Sequence, residues 1–305
     1  MSLSIDERLE ARIPHGCLVK ARSLYPALKR AERGALVYLL GHPDDVRSVS
    51  IAVIARGAGC GLATLSRLAR RLGYAGYPEL KAAFRAQAGG TAGVVYRGIS
   101  AQDSPEAVLE KVFAASMESL RDTLAVLDRA QYARAVEAVR RARRLLFCGL
   151  GDASQVAAAI CQKFLRAGID AHAAEDPDTQ MMLAAHLEPG DTAVGISHSG
   201  RSVPVMNALA EAHGRGATTI AITNYPRSPL ARRAEVVLLT ADFAEDLNGE
   251  VVSKRISEHC ILESLYITRL IGAQESLSEA LERARQAVTV YKAQPPRAAG
   301  ARGAG

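Results

Sequence analysis

Serines 197, 199 and 202 stand within the run SHSGRS (197–202), directly after the apolar segment TAVGI. Their hydroxyls donate hydrogen bonds without adding bulk. A loop that leaves a strand and opens a helix also aims free backbone N–H groups and the positive end of the helix dipole at whatever lies before it. That combination suits a phosphate. A second loop of the same kind is CGLGDASQVA (148–157), where Gly149 and Gly151 allow close backbone approach and the next helix begins near Ser154. The candidate anion-binding residues are therefore Gly149, Gly151, Ser154, Ser197, His198, Ser199, Gly200 and Ser202. His198, between two serines, either contacts a ligand or faces solvent, and Arg201 reads as a solvated helix-start arginine. A dinucleotide site fits less well, because serine at position 154 breaks the GxGxxG spacing and Asp170 alone is a poor ribose reader. No GxxxxGK[ST] loop occurs.

A different chemistry is written between Ile51 and Leu68, IAVIARGAGCGLATLSRL. Two helices crossing at a tight turn need a small residue at their closest approach and a positive φ in the turn, which Ala55 and Gly59 supply. Ile54, Ala58, Cys60, Leu65 and Leu68 fall where such a pair faces its own core. In the second helix Leu65, Leu68, Ala69 and Leu72 form one apolar stripe, leaving Ala63, Thr64, Ser66, Arg67, Arg70 and Arg71 outward. That face suits the major groove of double-stranded DNA, since arginine can donate two hydrogen bonds to guanine while threonine and serine read base edges or phosphates.

The elements that must position these residues divide the chain in two. Before residue 88 everything reads helical: a segment around Leu18–Leu40, then Ile51–Ala58 and Leu62–Leu72. The glycine-rich stretch AGGTAGVVYRG (88–98) lacks helical periodicity and marks a linker over 88–104. Pro105–Leu127 and Tyr132–Arg141 read as amphipathic helices. Five short apolar runs then alternate with helices: LLFCG (145–149), IDAHA (169–173), TAVGIS (192–197), TTIAIT (218–223) and EVVLLT (235–240). Such alternation implies βαβ units and a five-stranded parallel sheet flanked by helices. The expected organisation is an all-α helix-turn-helix domain over 1–87, the linker, an α/β domain over 105–285 and a disordered tail over 286–305. The late helix SKRISEHCILESLYITRLIG (253–272) is expected to pack on the sheet or on a partner subunit.

Charge follows the same division. Residues 1–100 carry 15 Lys/Arg against 7 Asp/Glu, and the remainder 23 against 25. A basic first third beside a near-neutral body is the footprint of a nucleic-acid module joined to something else. The five cysteines form no CxxC pair, so neither a disulfide framework nor a metal centre is indicated, and no cofactor is expected. With no basic leader and no run of roughly 18 apolar residues, the expected address is cytoplasmic, with no membrane partner.

From Ser48 to Lys81, SVSIAVIARGAGCGLATLSRLARRLGYAGYPELK, the chain resembles the RpiR family of bacterial transcriptional regulators. Thr64, Arg67, Leu72-Gly73-Tyr74, Gly76-Tyr77 and Glu79-Leu80-Lys81 carry the likeness. Gly61 stands where the family usually has an N-cap serine, a replacement that costs only a few tenths of a kcal/mol, and Leu62 stands where a polar residue is common. SHSGRS is similar to the Ser-x-Ser-Gly-x-Ser/Thr phosphate loop of SIS domains, the phosphosugar fold that forms the sensor half of these regulators. That likeness runs from about Leu145 to Ile271 and includes KFLRAG (163–168), PGD (189–191), AITN (221–224) and SPLARRAEVVLLT (228–240). It implies an SIS-like domain in which Ser197, Ser199 and Ser202 hold phosphate and the first glycine-rich loop meets the sugar, although Ala153 stands where that loop usually presents serine. The resemblance implies a regulator, not an enzyme, whose operator affinity is controlled by a phosphorylated sugar and which acts as a homodimer or higher homo-oligomer. The alternative is an aldose–ketose phosphosugar isomerase with an accessory helical domain. Its proton shuttle needs a tuned base, for which Glu175, Glu250, His172 and His198 are suitable types that the sequence does not assemble into a pair.

Overall fold

The computed structural model describes residues 13, 15–86, 98–243, 251, 253–271 and 274–289. The helical part contains α1 (His15–Leu24), α2 (Arg30–Gly41), α3 (Pro43–Ser48), α4 (Ile51–Gly57), α5 (Leu62–Arg71) and α6 (Tyr77–Ala86). The sequence reading of one helix across Leu18–Leu40 is corrected by a 3-10 turn at Tyr25–Ala27 between α1 and α2. Pro26 has no N–H to continue an α-helix, and Arg33 fixes the corner by donating to the carbonyls of Tyr25 and Pro26 at 3.2 and 2.8 Å. Leu36, Leu39, Ile54, Leu65, Leu68, Leu80 and Phe84 are fully buried together. At about 1.5–3 kcal/mol for each such side chain, this core orients α4 and α5.

The second part opens with α7 (Pro105–Val126) and α8 (Arg129–Arg141). Of the expected linker, residues 88–97 lie outside the described residues, whereas 98–104 form a turn tied to α7. Ser100 N–H donates to Asp103, Asp103 pairs with Lys111, and Ser104 caps α7 by accepting from Ala107 N–H. Five strands follow, β1 (Arg144–Cys148), β2 (Asp170–Ala174), β3 (Thr192–Ile196), β4 (Thr218–Thr223) and β5 (Val236–Leu239). They interleave with α9 (Asp152–Arg166), α10 (Pro177–Ala185) and α11 (Val203–Gly214), and α12 (Lys254–Leu270) and α13 (Gln274–Thr289) are the last elements among the described residues. Residues 286–289, assigned to the tail from sequence, thus belong to α13, and 290–305 lie outside the described residues.

All strands are parallel in the order β2-β1-β3-β4-β5. The inner strand β3 is buried at every position, as its uninterrupted apolar run requires. One face carries Phe147, Ile160, Phe164, Val194, Ile220 and Leu262 from strands, α9 and α12, and the other Leu146, Ala193, Leu209 and Ala221 with α10 and α11. Because β1 lies between β2 and β3, the chain reverses direction across the sheet there. The loops after β1 and β3 therefore flank the crevice where open α/β sheets bind ligands. The two parts touch through Val19 of α1, buried with Val126 of α7 and Ala241. No single helix among the described residues is long and apolar enough to cross a membrane.

Candidate DNA-reading face and anion pocket

α4 and α5 meet at 99° across a four-residue break, within the range of helix-turn-helix crossings. Gly59 takes φ +60°, and Cys60 N–H closes the turn on the Ala55 carbonyl at 2.9 Å. Leu65, Leu68, Ala69 and Leu72 face inward as expected. Ala63, Arg67 and Arg70 are exposed, and Thr64 and Ser66 half-exposed. Arg71 departs from the outward position that periodicity predicts. It turns onto α2 and pairs with Glu32 at 2.6 Å, the two side chains being only 17% and 13% exposed. Burial opposes ionisation of Glu32, but the hydrogen bonds from Arg71 and the Lys29 N–H outweigh it and hold its pKa below the usual value. Gly61 caps α5 through backbone conformation alone, with no side-chain hydrogen bond.

In the first loop of the α/β part, a Cβ on Gly149 would lie 2.5 Å from the Ala153 carbonyl oxygen, so only glycine fits. Gly151 precedes α9 at φ +61°. Gln180, fully buried, anchors this loop by donating to the carbonyls of Gly149 and Ala174 at 2.7 and 2.8 Å. Ser154 does not offer its hydroxyl to the crevice as expected. It is buried and donates to the Gly151 carbonyl at 2.6 Å, a local bond that the first turn of a helix readily absorbs.

In the second loop Ser197 is buried at the end of β3, Ser199 is exposed and Ser202 half-buried at the start of α11. Gly200 has φ +61° and sits so close to Ser228 and Thr223 that a Cβ would collide with both. The Ser199 hydroxyl accepts from Arg201 N–H at 3.3 Å, while the buried Ser202 hydroxyl has no hydrogen-bond partner among the described residues. His198 does not reach into solvent. Its ring stands edge-on to Tyr225 at 5.9 Å, and its buried Nδ1 is unpartnered among the described residues. Burial, reinforced by the charges of Arg255 and Lys254, lowers its pKa to about 4, so the ring is neutral at neutral pH.

Residues outside the expected anion-binding set complete this crevice. Lys254 and Arg255, in the first turn of α12, reach Asp152 at the start of α9 at 3.1 and 3.2 Å. Burial works against the Asp152 carboxylate, but the two cations hold its pKa below the ordinary value. Arg255 also pairs with Glu258, which is fully buried and whose Oε1 lacks a partner among the described residues. Burial lifts the Glu258 carboxyl to about 8 against the pull of Arg255, and that of Asp242 to about 6 against hydrogen bonds led by Ser257. Asp242 Oδ2 is a further buried acceptor without a partner among the described residues. A signal was present in the sequence, because cations in a first helical turn oppose the helix dipole unless an anion compensates them.

Two of the other candidate bases do not gather here. His172 pairs with Asp170 at 2.7 Å on the edge strand and lines a separate cleft with Arg144, Met182 and His186, and Glu175 accepts from Gln155 at 2.9 Å. Glu250 lies outside the described residues.

Residues 15–88 match the helix-turn-helix domain of the rpiR family, and residues 138–266 match the SIS domain. The transcriptional regulator HexR of Pseudomonas aeruginosa is 31% identical over 249 residues, spanning 81% of this chain and 87% of its own. The chain belongs to the RpiR family. HexR of Escherichia coli is 30% identical over 229 residues, 75% of this chain and 78% of that protein. Among solved structures, Vibrio vulnificus NanR complexed with ManNAc-6P superposes with a TM-score of 0.57 at 24% identity, covering 91% of this chain and all of NanR. The sugar isomerase domain of an RpiR transcription factor from Sphaerobacter thermophilus gives 0.53 at 25% identity over 59% of this chain and 98% of its own. The RpiR assignment accounts for both halves at once, a helix-turn-helix reader and an SIS α/β domain.

Proposed function

We propose that this RpiR-family regulator changes its affinity for operator DNA when a phosphorylated sugar binds at the SHSGRS loop. Residues 1–87 serve as the DNA-binding unit and 105–285 as the sensor, joined through 88–104. One observation carries the reading. The ends of β1 and β3 and the first turn of α12 gather glycine-permitted loops, two cations and four buried polar atoms without hydrogen-bond partners among the described residues, those of His198, Ser202, Asp242 and Glu258. Buried polar groups are normally satisfied, and a polyhydroxylated anion has the donors and acceptors to satisfy these. The serine hydroxyls and the N–H groups opening α11 hold the phosphate, while Asp242, Glu258 and neutral His198 face the sugar.

The same contacts give the ligand leverage over the helical part. A phosphate dianion competes with Asp152 for Lys254 and Arg255, so binding pulls on the start of α12. Ser253, just before that helix, lies hydroxyl to hydroxyl with Ser116 of α7 at 3.3 Å. Asp242 adjoins Ala241, which packs against Val19 of α1. In a dimer reading two half-sites, displacement of this seam alters the spacing of the two reading heads. The NanR complex supports the ligand class, since a protein of the same fold holds a phosphorylated amino sugar.

Glu258 favours one second reading, because burial raises its carboxyl to about 8, toward the near-neutral range in which a proton-shuttling group works. A panel of hexose and pentose phosphates, scored both for thermal stabilisation and for turnover, decides between them. A ligand at 100 times its Kd adds about 2.7 kcal/mol to stability. Stabilisation without turnover is expected, and Ser197→Ala/Ser199→Ala should weaken binding roughly 100-fold or more, since bonds to charged groups contribute about 1.5–3 kcal/mol each. Turnover would establish the isomerase, and undiminished stabilisation of the variant would place the phosphate elsewhere.

A further inference from the structure

Two acidic side chains are buried beside the SHSGRS loop with little positive charge to match them. Glu258 of α12 is 0% exposed and Asp242, which follows β5, 1%. Glu258 Oε1 and Asp242 Oδ2 have no hydrogen-bond partner among the described residues. Asp242 is held in place on three sides. Its N–H donates to the Asn224 side chain at 2.8 Å, its carbonyl accepts from the same amide at 3.1 Å, and its Oδ1 accepts from the Ser257 hydroxyl at 2.5 Å. These bonds fix where Oδ2 stands.

Arg255 serves three carboxyls at once. It pairs with Asp152 and with Glu258, and its charge acts on Asp242 as well. Lys254 reaches Asp152, the side chains that bond to Asp242 are the hydroxyls of Ser257, Thr240 and Ser119, and the His198 ring is neutral at neutral pH. Three carboxyls thus share two cations. The shortage shows in their hold on protons. Burial lifts Glu258 to about 8 against Arg255, and the charges of Asp242 and Asp152 add to the rise. A phosphate dianion drawn to Lys254 and Arg255 deepens the shortage, because it competes for the guanidinium that the carboxyls share. A sugar hydroxyl brings one proton to donate and no charge, whereas an ammonium brings three N–H donors and a positive charge. Buried carboxylates are stable when paired and costly when left alone.

We propose that the effector is a sugar phosphate carrying a free amine, whose ammonium is held by Glu258 and Asp242 while its phosphate lies at the SHSGRS loop. This inference rests on the phosphate reading of that loop and adds a second, opposite charge to the ligand. Glu258 and Asp242 then set specificity. The hydroxyl parent of such a sugar leaves both carboxyls without a cation, and its N-acetyl derivative, neutral and bulkier, meets them with a single N–H.

The test titrates the full chain at neutral pH with the 6-phosphates of glucose, mannose and galactose, each beside its 2-amino-2-deoxy and 2-acetamido-2-deoxy counterparts. In at least one of these trios the amine should bind roughly 10-fold tighter than the hydroxyl parent, the difference between a charge-assisted hydrogen bond and a neutral one. It should also bind tighter than the acetamide. Glu258→Gln and Asp242→Asn keep the shape of each side chain and remove its charge, so each should bring the ratio of amine to hydroxyl affinity close to one. A ratio stays readable if a variant binds every phosphate less well, and either variant suffices should melting curves show the other unfolded. Hydroxyl parents that bind as tightly as the amines in every trio would overturn the proposal. So would acetamides that match the amines, or an amine preference that persists in the folded variants, which would put the ammonium elsewhere. If Ser197→Ala/Ser199→Ala weakens binding while the amine gives no advantage, the loop still holds phosphate and this inference alone falls. If no sugar phosphate of the panel binds, the phosphate reading falls and the amine with it.

Discussion

In α5 the outward side chains are those the helix has no room to bury. Leu65, Leu68 and Ala69 fix its inner face, so Arg67 and Arg70 project into solvent at little cost to the fold. The proposed anion pocket works the other way. Its polar groups are buried, and what marks them is hydrogen-bonding capacity that no described residue uses at His198, Ser202, Asp242 and Glu258. Unsatisfied buried groups cost stability, so substitutions should separate binding from stability in the helix and entangle the two in the pocket.

The largest effect that sharpens this contrast belongs to Arg67→Ala. Loss of a base-reading arginine costs about 1–3 kcal/mol of operator affinity, roughly 5–150-fold, measurable by fluorescence anisotropy on labelled operator. The melting temperature should hold, because exposed substitutions of this kind stay within about 0.5 kcal/mol. Arg71, four residues further along the same helix, belongs by burial with the pocket. Arg71→Ala leaves the Glu32 carboxylate in a largely buried position without its cation, which should destabilise the chain by about 1–3 kcal/mol in urea unfolding. Arg67 and Arg71 variants that lost affinity and stability alike would erase the distinction.

A smaller effect is expected from pH. The Glu258 carboxyl ordinarily titrates at 4.5 and in the fold at about 8, so between these values the folded chain binds more protons than the unfolded one. Stability is then greatest on the acid side and declines as pH rises through that window. Glu258→Gln should remove the decline and melt later than the wild type above about pH 8. His198 acts with the opposite sign, since its fall from 6.5 to about 4 makes stability decline as pH drops through that range. Parallel melting profiles of wild type and Glu258→Gln from neutral to alkaline pH would show that the carboxylate is already ionised and satisfied.

The sequence reading located all five strands to within one residue at each end, because the inner strands β1, β3 and β4 are buried runs with sharp limits, whereas the edge strand β2, with Asp170 exposed and His172 half-buried, is marked by its place between two helical segments. The same reading ran α1 and α2 together, although Pro26 marked the break, since apolar periodicity continues on both sides of it. Of the pocket, the two loops were legible because glycine and serine at strand ends have a local meaning. Ser154 was misread because a hydroxyl in a first helical turn can be taken up by the backbone three residues earlier. Arg71 and the α12 cations depended on partners distant in sequence, Glu32 and Asp152, and periodicity carries no information about such pairs.

The central claim, that an anion at the SHSGRS loop governs DNA affinity, rests most directly on one linked titration. Once the thermal panel has identified a stabilising sugar phosphate and its operator is in hand, the affinity for that sugar phosphate is measured with and without saturating operator, and the operator affinity with and without saturating sugar phosphate. Linkage requires the two ratios to be equal, and coupling of about 5–150-fold is expected. Ser197→Ala/Ser199→Ala should keep the wild-type operator affinity in the absence of sugar phosphate and show no change on its addition. Equal affinities with and without the other partner in the wild type would mean two independent sites, and would contradict the regulation proposed for this chain.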